Sequence, residues 1–243
     1  MSRIYAIGDI HGHLSELENA HRLIAADQAG EGGPAQIVHI GDLTDRGPDS
    51  KGVINFLMAG LERGEDWVVL KGNHDRLFTT YYRTGSVTDG RLRVGMGWLN
   101  AEMGGDVTLQ SYGVAKRLLE SAGKLHARAV KKVPEDHIRF LEDLPLWHRA
   151  EGMIFVHAGI RPGFPMEAQD EDDLLWIRDE FLWRTDQHEA LIVHGHTPVD
   201  YPTHYSNRVN LDCGAGYGNP LVPVVFEDGH CFALTDDGRD PLA

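Results

Sequence analysis

Apolar and polar positions along the chain fall into a recurring figure, a short unbroken apolar run that stops at a polar, glycine-containing cluster. Ile4–Ile7 stops at Gly8-Asp9-Ile10-His11-Gly12. Residues 37–40 stop at Gly41-Asp42-Leu43-Thr44-Asp45-Arg46-Gly47, and 67–70 stop near Gly72-Asn73-His74-Asp75. Further on, Met153–Val156 stops at His157-Ala158-Gly159 and residues 191–193 at His194-Gly195-His196-Thr197. Apolar runs without alternation predict strands covered on both faces. Between the first three runs the pattern turns helical. Ser15-Glu16-Leu17-Glu18 predicts a capping box, with Leu14, Leu17, His21 and Ile24 on one face. Asp49 or Ser50 predicts the cap of a second helix with a stripe of Val53, Ile54, Leu57, Met58 and Leu61. Strand, helix, strand at about 30-residue spacing is the signature of a parallel α/β sheet. Sites in such sheets gather beyond the carboxyl ends of the strands, where all five clusters lie.

The rhythm breaks between Asp75 and His157. A Gly-rich segment (85–105), a helical stretch over 109–133 and a further stretch over 134–144 predict an insertion at about 76–150 that caps the site within a single domain, 1–243. Three β-rich runs near the end, 208–211, 221–226 and 231–234, predict a second sheet. The expected fold is an α/β sandwich flanked by helices, with a helical insertion.

Composition narrows the partners. A formal charge of −14 argues against nucleic acid, whose binding needs Lys and Arg to neutralise phosphates. A small anionic substrate stays compatible, because a metal site reverses the field locally. No stretch reaches the roughly 20 apolar residues of a membrane span. The opening run 1–7 has no leader character, and two cysteines, Cys213 and Cys231, suit a reducing cytoplasm rather than a disulfide framework. The basic residues of the insertion, Lys116 to Lys132, read as a helix's wet face, and the acidic run 169–173 as a solvated loop.

Asp9, His11, Asp42, Asn73, His157 and His196 are oxygen or imidazole ligands, each just past an apolar run. Two divalent cations about 3.5–4 Å apart need a shared carboxylate and further groups of these kinds. No cysteine lies in the first four clusters, which argues against a structural zinc site.

These motifs, GD-x-HG, GD-x-x-DRG and GNHD, together with His157-Ala158-Gly159, the 174–178 stretch and Asp212-Cys213-Gly214-Ala215-Gly216, resemble the phosphoprotein phosphatase branch of the calcineurin-like metallophosphoesterases. The resemblance spans about residues 4–218. It is nearest to small bacterial serine/threonine phosphatases and to symmetrical diadenosine tetraphosphatases. It implies two divalent ions, manganese first with iron or zinc as alternatives, and direct attack by a hydroxide that bridges them. It implies Asp9 and His11 on one metal, Asp42 shared, and Asn73, His157 and His196 on the other. It implies His74 as general acid with Asp45 as its partner, and Arg46 and Arg178 as phosphate clamps. Many nucleases of the superfamily carry G-H-x-H where this chain has Gly195-His196-Thr197-Pro198, which counts against a nuclease. The implied activity is phosphomonoester hydrolysis on a phosphoserine or phosphothreonine protein. Symmetrical diadenosine tetraphosphate cleavage is the alternative, and a catalytically dead module binding phosphorylated partners is a third reading that the intact motifs disfavour.

Overall fold

The computed structural model describes residues 3–30 and 33–242; Met1, Ser2, Glu31, Gly32 and Ala243 lie outside the described residues, and with them the start of the opening run. Eleven strands form two sheets among these residues. In the first, β1 (Ile4–Ile7), β2 (Gln36–His39) and β3 (Trp67–Val69) pair in parallel, with Ile4 opposite Gln36 and Ile37 opposite Trp67. The second contains β4 (Trp147–Ala150), β5 (Met153–Val156), β6 (Leu191–His194), β7 (Thr203–Tyr205) and β8 (Arg208–Asn210), in the order β4-β5-β6-β8-β7. Its three inner strands are parallel.

The last three apolar runs do not make a sheet of their own. Only the run at 208–211 joins the second sheet. The other two become β9 (Val224–Glu227) and β10 (His230–Thr235), which, followed by β11 (Gly238–Pro241), extend the first sheet antiparallel from β1. The second sheet is therefore built on the His157 and His196 strands. Both sets of motifs face each other across the sandwich for that reason.

The helices follow from local chemistry. Helix α1 (Leu14–Gly30) starts before the expected cap: the Leu17 amide already donates to His13 O at 3.0 Å, so Ser15 lies inside the first turn and no capping box forms there. Helix α2 (Ser50–Glu62) is capped by Asp49, whose Oδ1 accepts from the Gly52 amide at 2.8 Å. Val53, Ile54 and Leu57 are buried along it, while Leu61 is exposed.

Within the insertion, helix α3 (Asn73–Thr84) begins on the third motif itself. The expected helix over 109–133 is two, α4 (Gly105–Ser111) and α5 (Ala122–Lys132), separated where Gly113 takes φ +74°. Helix α6 (Glu135–Asp143) follows, and residues 147–150, counted with the insertion from sequence, form the edge strand β4 instead. Two short helices, α7 (Glu171–Trp176) and α8 (Asp179–Leu182), cover the outer face of the second sheet.

Strand alternation divides the core into three layers. Ile4, Ala6, Val38, Phe155, Val193 and Val224 fill the space between the sheets. Tyr5 and Ile7 point the other way, into a layer with Leu17, Ile24, Val53 and Leu57. Phe78, Tyr81, Trp98, Leu109 and Leu125 of the insertion belong to that same layer. The third lies under α7 and α8, around Leu174 and Phe181. At about 1.5–3 kcal/mol per fully buried large apolar side chain, the insertion is bound to the core by packing, not tethered to it.

Candidate active site

The carboxyl ends of β1, β2, β3, β5 and β6 deliver five loops to one cavity of about 770 Å³. The turns are tight enough that the chemistry-bearing residues bend the chain. His11 (φ 48°), Asp42 (49°), Asp45 (76°), Arg46 (65°) and His196 (64°) all occupy the left-handed region, which costs L-residues about 1–3 kcal/mol each. The neighbouring glycines mostly supply room rather than the turn. Gly72 has ordinary φ, but a Cβ there would overlap the Asp42 backbone nitrogen and carboxylate.

Asp42 stands at the centre. Its Oδ2 lies 3.5 Å from His11 Nε2 and 4.0 Å from His74 Nε2; its Oδ1 lies 3.4 Å from His157 Nε2. The His74 amide donates to Oδ1 at 2.9 Å and fixes the carboxylate. Two groups of potential ligands share it: His11, Asp42 and His74 on one side, Asp42, His157 and His196 on the other, each with ligand atoms within 4.8 Å of one another. Asn73 adjoins the second group, its Oδ1 2.9 Å from His157 Nε2. Asp9 lines the cavity and accepts from the His196 amide at 3.1 Å.

The imidazoles are oriented from behind. His11 Nδ1–H donates to Thr44 O at 2.9 Å and His157 Nδ1–H to Ile40 O at 3.1 Å, which turns each Nε2 lone pair towards the Asp42 side of the site, where it would accept a metal. Burial pushes His11 and His196 well away from the charged form and lowers His157 in the same direction. His196 Nε2 is buried without a hydrogen-bond partner. A buried imidazole nitrogen with nothing to bind, grouped with a buried carboxylate, fits a divalent ion. The carboxylates agree. Burial and then the nearby Asp212 raise Asp9 well above the ordinary range, a cost that a cation would relieve.

His74 Nδ1–H donates to Asp45 Oδ2 at 2.7 Å, so its Nε2 faces the cavity. Burial raises the Asp45 carboxyl, and hydrogen bonds from His74, Thr108 and Trp98 oppose that shift. Arg46 reaches in from the second loop, Nη1–H to His11 Nε2 at 2.7 Å and Nη2–H to His74 Nε2 at 3.2 Å. Arg178 also lines the cavity, exposed, with Nη1 3.1 Å from Thr197 Oγ1.

All ten residues singled out in the sequence thus meet around one cavity, Asp45 and His157 from just behind its wall. The structure also adds several that sequence reasoning missed. Asp75, the last residue of the GNHD motif, accepts from the Gly72 and Leu43 amides and from Thr44 Oγ1, joining two motif loops. Arg91, Leu92, Arg93 and Met96 of the insertion line the mouth with Trp176 and Tyr217. The insertion's cations at the cavity are Arg91 and Arg93, while Lys116, Lys124, Lys131 and Lys132 are exposed and do not line it. The acidic run is not simply solvated: Asp172 pairs with Arg76 at 2.7 Å and Arg91 at 3.0 Å, tying α7 to the insertion.

Two packed sheets with motif loops converging on a shared buried carboxylate define a metal-dependent hydrolase fold. The profile of calcineurin-like phosphoesterases matches residues 2–226, and the chain belongs to that family. Among curated relatives, the asymmetrical bis(5'-nucleosyl)-tetraphosphatase PrpE of Oceanobacillus iheyensis is 27% identical, covering 93% of this chain and 89% of its own. The PrpE of Bacillus thuringiensis is 25% identical, covering 91% and 89%. Among solved structures, one proposed to be a diadenosine tetraphosphatase superposes with TM-score 0.65 at 22% identity, over 99% of this chain and 94% of that one. The cold-active protein-tyrosine phosphatase of a Shewanella species superposes with TM-score 0.63 at 14% identity, over 100% and 81%. At such identities these two show a shared fold.

Proposed function

We propose that the chain is a two-metal phosphomonoester hydrolase whose favoured substrates are phosphoserine and phosphothreonine in proteins. Asp9, His11 and the shared Asp42 would hold one ion, and Asp42, Asn73, His157 and His196 the other. When bound, the ions would supply Lewis acidity, lowering the pKa of a coordinated water and neutralising charge on the phosphoryl oxygens. Manganese suits the oxygen and imidazole donors, as do iron and zinc.

The observation that carries the substrate class is the His74–Asp45 pair at 2.7 Å with Nε2 turned to the cavity. An alkoxide is a poor leaving group and needs a proton as the ester bond breaks. His74, its Nδ1–H held by a carboxylate, is placed to give that proton from Nε2 once the Arg46 Nη2–H that donates to that nitrogen turns to a phosphoryl oxygen. Arg46 and Arg178, both lining the cavity, would hold phosphoryl oxygens through their planar forks. The geometry alone also makes His74 eligible as a ligand beside His11 and Asp42. We assign it to proton transfer because its Nδ1 partner is a carboxylate that helps it carry charge.

A second reading has its own observation. Arg46, Arg178, Arg91 and Arg93 line the cavity together, which suits a chain of phosphates, and the PrpE relatives are named as dinucleoside tetraphosphatases. Those names favour the asymmetrical cut over the symmetrical one expected from sequence. Phosphopeptides and diadenosine tetraphosphate assayed side by side with Mn²⁺ separate the readings. The first predicts the higher kcat/KM on phosphopeptides. A preference of 100-fold or so for the dinucleotide would transfer the proposal to the second, and its products would locate the cut. No turnover of either would refute both.

A further inference from the structure

The insertion does more than wall the cavity. Trp98 is fully buried, packed against Phe78 at 5.5 Å and Tyr81 at 4.7 Å between ring centroids. Gly105 leaves space for it, since a Cβ there would lie inside the indole. So held, its Nε1–H donates to Asp45 Oδ2 at 2.8 Å, the same oxygen that receives His74 Nδ1–H. Thr108, on α4, donates its hydroxyl to the other oxygen, Oδ1, at 2.7 Å and accepts from the Asp45 amide at 2.8 Å. Ser50 Oγ lies 3.0 Å from Thr108 Oγ1; because the Thr108 proton goes to Asp45, Ser50 is the donor there.

Every donor that fixes the Asp45 carboxylate, apart from His74 itself, thus comes from the insertion. A carboxylate held at one oxygen alone rotates about χ2, and the imidazole that depends on it loses its orientation. We infer that Trp98 and Thr108 are positioning residues for the His74–Asp45 pair, so that docking of the insertion assembles the general acid as well as the cavity wall. This rests on the reading of His74 as the acid. Neither residue touches substrate; both act through Asp45.

The test compares a phosphoserine peptide with p-nitrophenyl phosphate in Mn²⁺-loaded enzyme. The aryl ester departs without a proton, so the ratio of the two turnovers reports acid assistance. Trp98→Phe keeps a ring and removes only the donor. It should lower the peptide-to-aryl ratio about 10-fold, the size expected from losing one hydrogen bond to a charged group. Thr108→Val should lower it similarly, and Thr108→Ser should restore it, which a packing role for the methyl would not produce. Metal content should stay at two per chain in all three. With His74→Asn as reference, a ratio that collapses there but stays at wild type in both Trp98→Phe and Thr108→Val overturns the inference alone. So do equal losses on the two esters. An unchanged ratio in His74→Asn removes the acid reading, and the inference with it.

Discussion

The two halves of the site meet in one carboxylate, and the residue-scale consequences follow from that. Asp42→Asn keeps the shape but removes the charge that both groups of ligands share. It should lower activity by 10²-fold or more and reduce bound metal, measured by elemental analysis of the purified variant. Two metals per chain with normal turnover would contradict the assignment. His74→Asn should differ in kind. General-acid assistance is worth about 10²–10⁴-fold, or about 3–5 kcal/mol, on an alkyl ester and little on p-nitrophenyl phosphate. Metal content should be retained, and a metal-poor variant would instead place His74 in the ligand shell beside His11. Asp45→Asn should show the same ordering with a smaller loss, read from the same pair of esters. The residues in these predictions were legible because they come in short motifs, ligand and turn together. Trp98 and Thr108 were not, since they reach Asp45 across 53 and 63 residues and no local spacing announces them. Asp75 was in view within its motif, but its service to the Gly41–Gly47 loop needed the fold to be seen.

At the scale of elements, α1, α2, β2 and β3 meet in an aromatic cluster of His21, Phe56, His39 and Trp67, none of which lines the cavity. His21 Nε2 lies 3.0 Å from His39 Nε2, and both rings pack on Trp67. His39 Nδ1–H donates to Val68 O at 3.2 Å, so His39 Nε2 accepts and His21 Nε2 donates. Burial lowers His21 to about 4 and His39 to about 3, both from 6.5. These are bases depressed in the fold, so the unfolded chain binds more protons between the two limits. Stability is untouched above about pH 6.5 and is lost as pH falls from there toward about 4. Urea midpoints across that range should fall, and His39→Leu should make the slope shallower. An unchanged slope would mean that the pair does not titrate on unfolding. Most elements were legible where apolar runs ended in turn residues. The failures have physical causes: Ser15 sits two residues past the position that would cap α1, Gly113 breaks the long helix of the insertion, and strands β9 and β10 are brought to their sheet by the long-range pairing of β9 with β1, which their own sequences do not encode.

Taken as a whole, the molecule sets an acidic surface, −14 overall, around a mouth edged by arginines. Under the proposed function, field lines converging on such a mouth would favour small anionic groups over polyanions. No described helix is long and apolar enough to cross a membrane. The fold leaves no candidate for covalent catalysis by thiol. Cys213 is buried near the site, and burial first, then Asp212, pushes its thiol up to about 12. Cys213→Ser should therefore keep activity, and thiol-blocking reagents should not reduce it; trapping a phosphorylated cysteine would refute direct hydrolysis. Titrating chelator-stripped enzyme with Mn²⁺, while turnover and bound metal are followed together, decides whether two ions share Asp42. Activity should be negligible without metal and should plateau at two equivalents per chain. Full turnover in the stripped enzyme, or a plateau at one equivalent, would contradict that sharing.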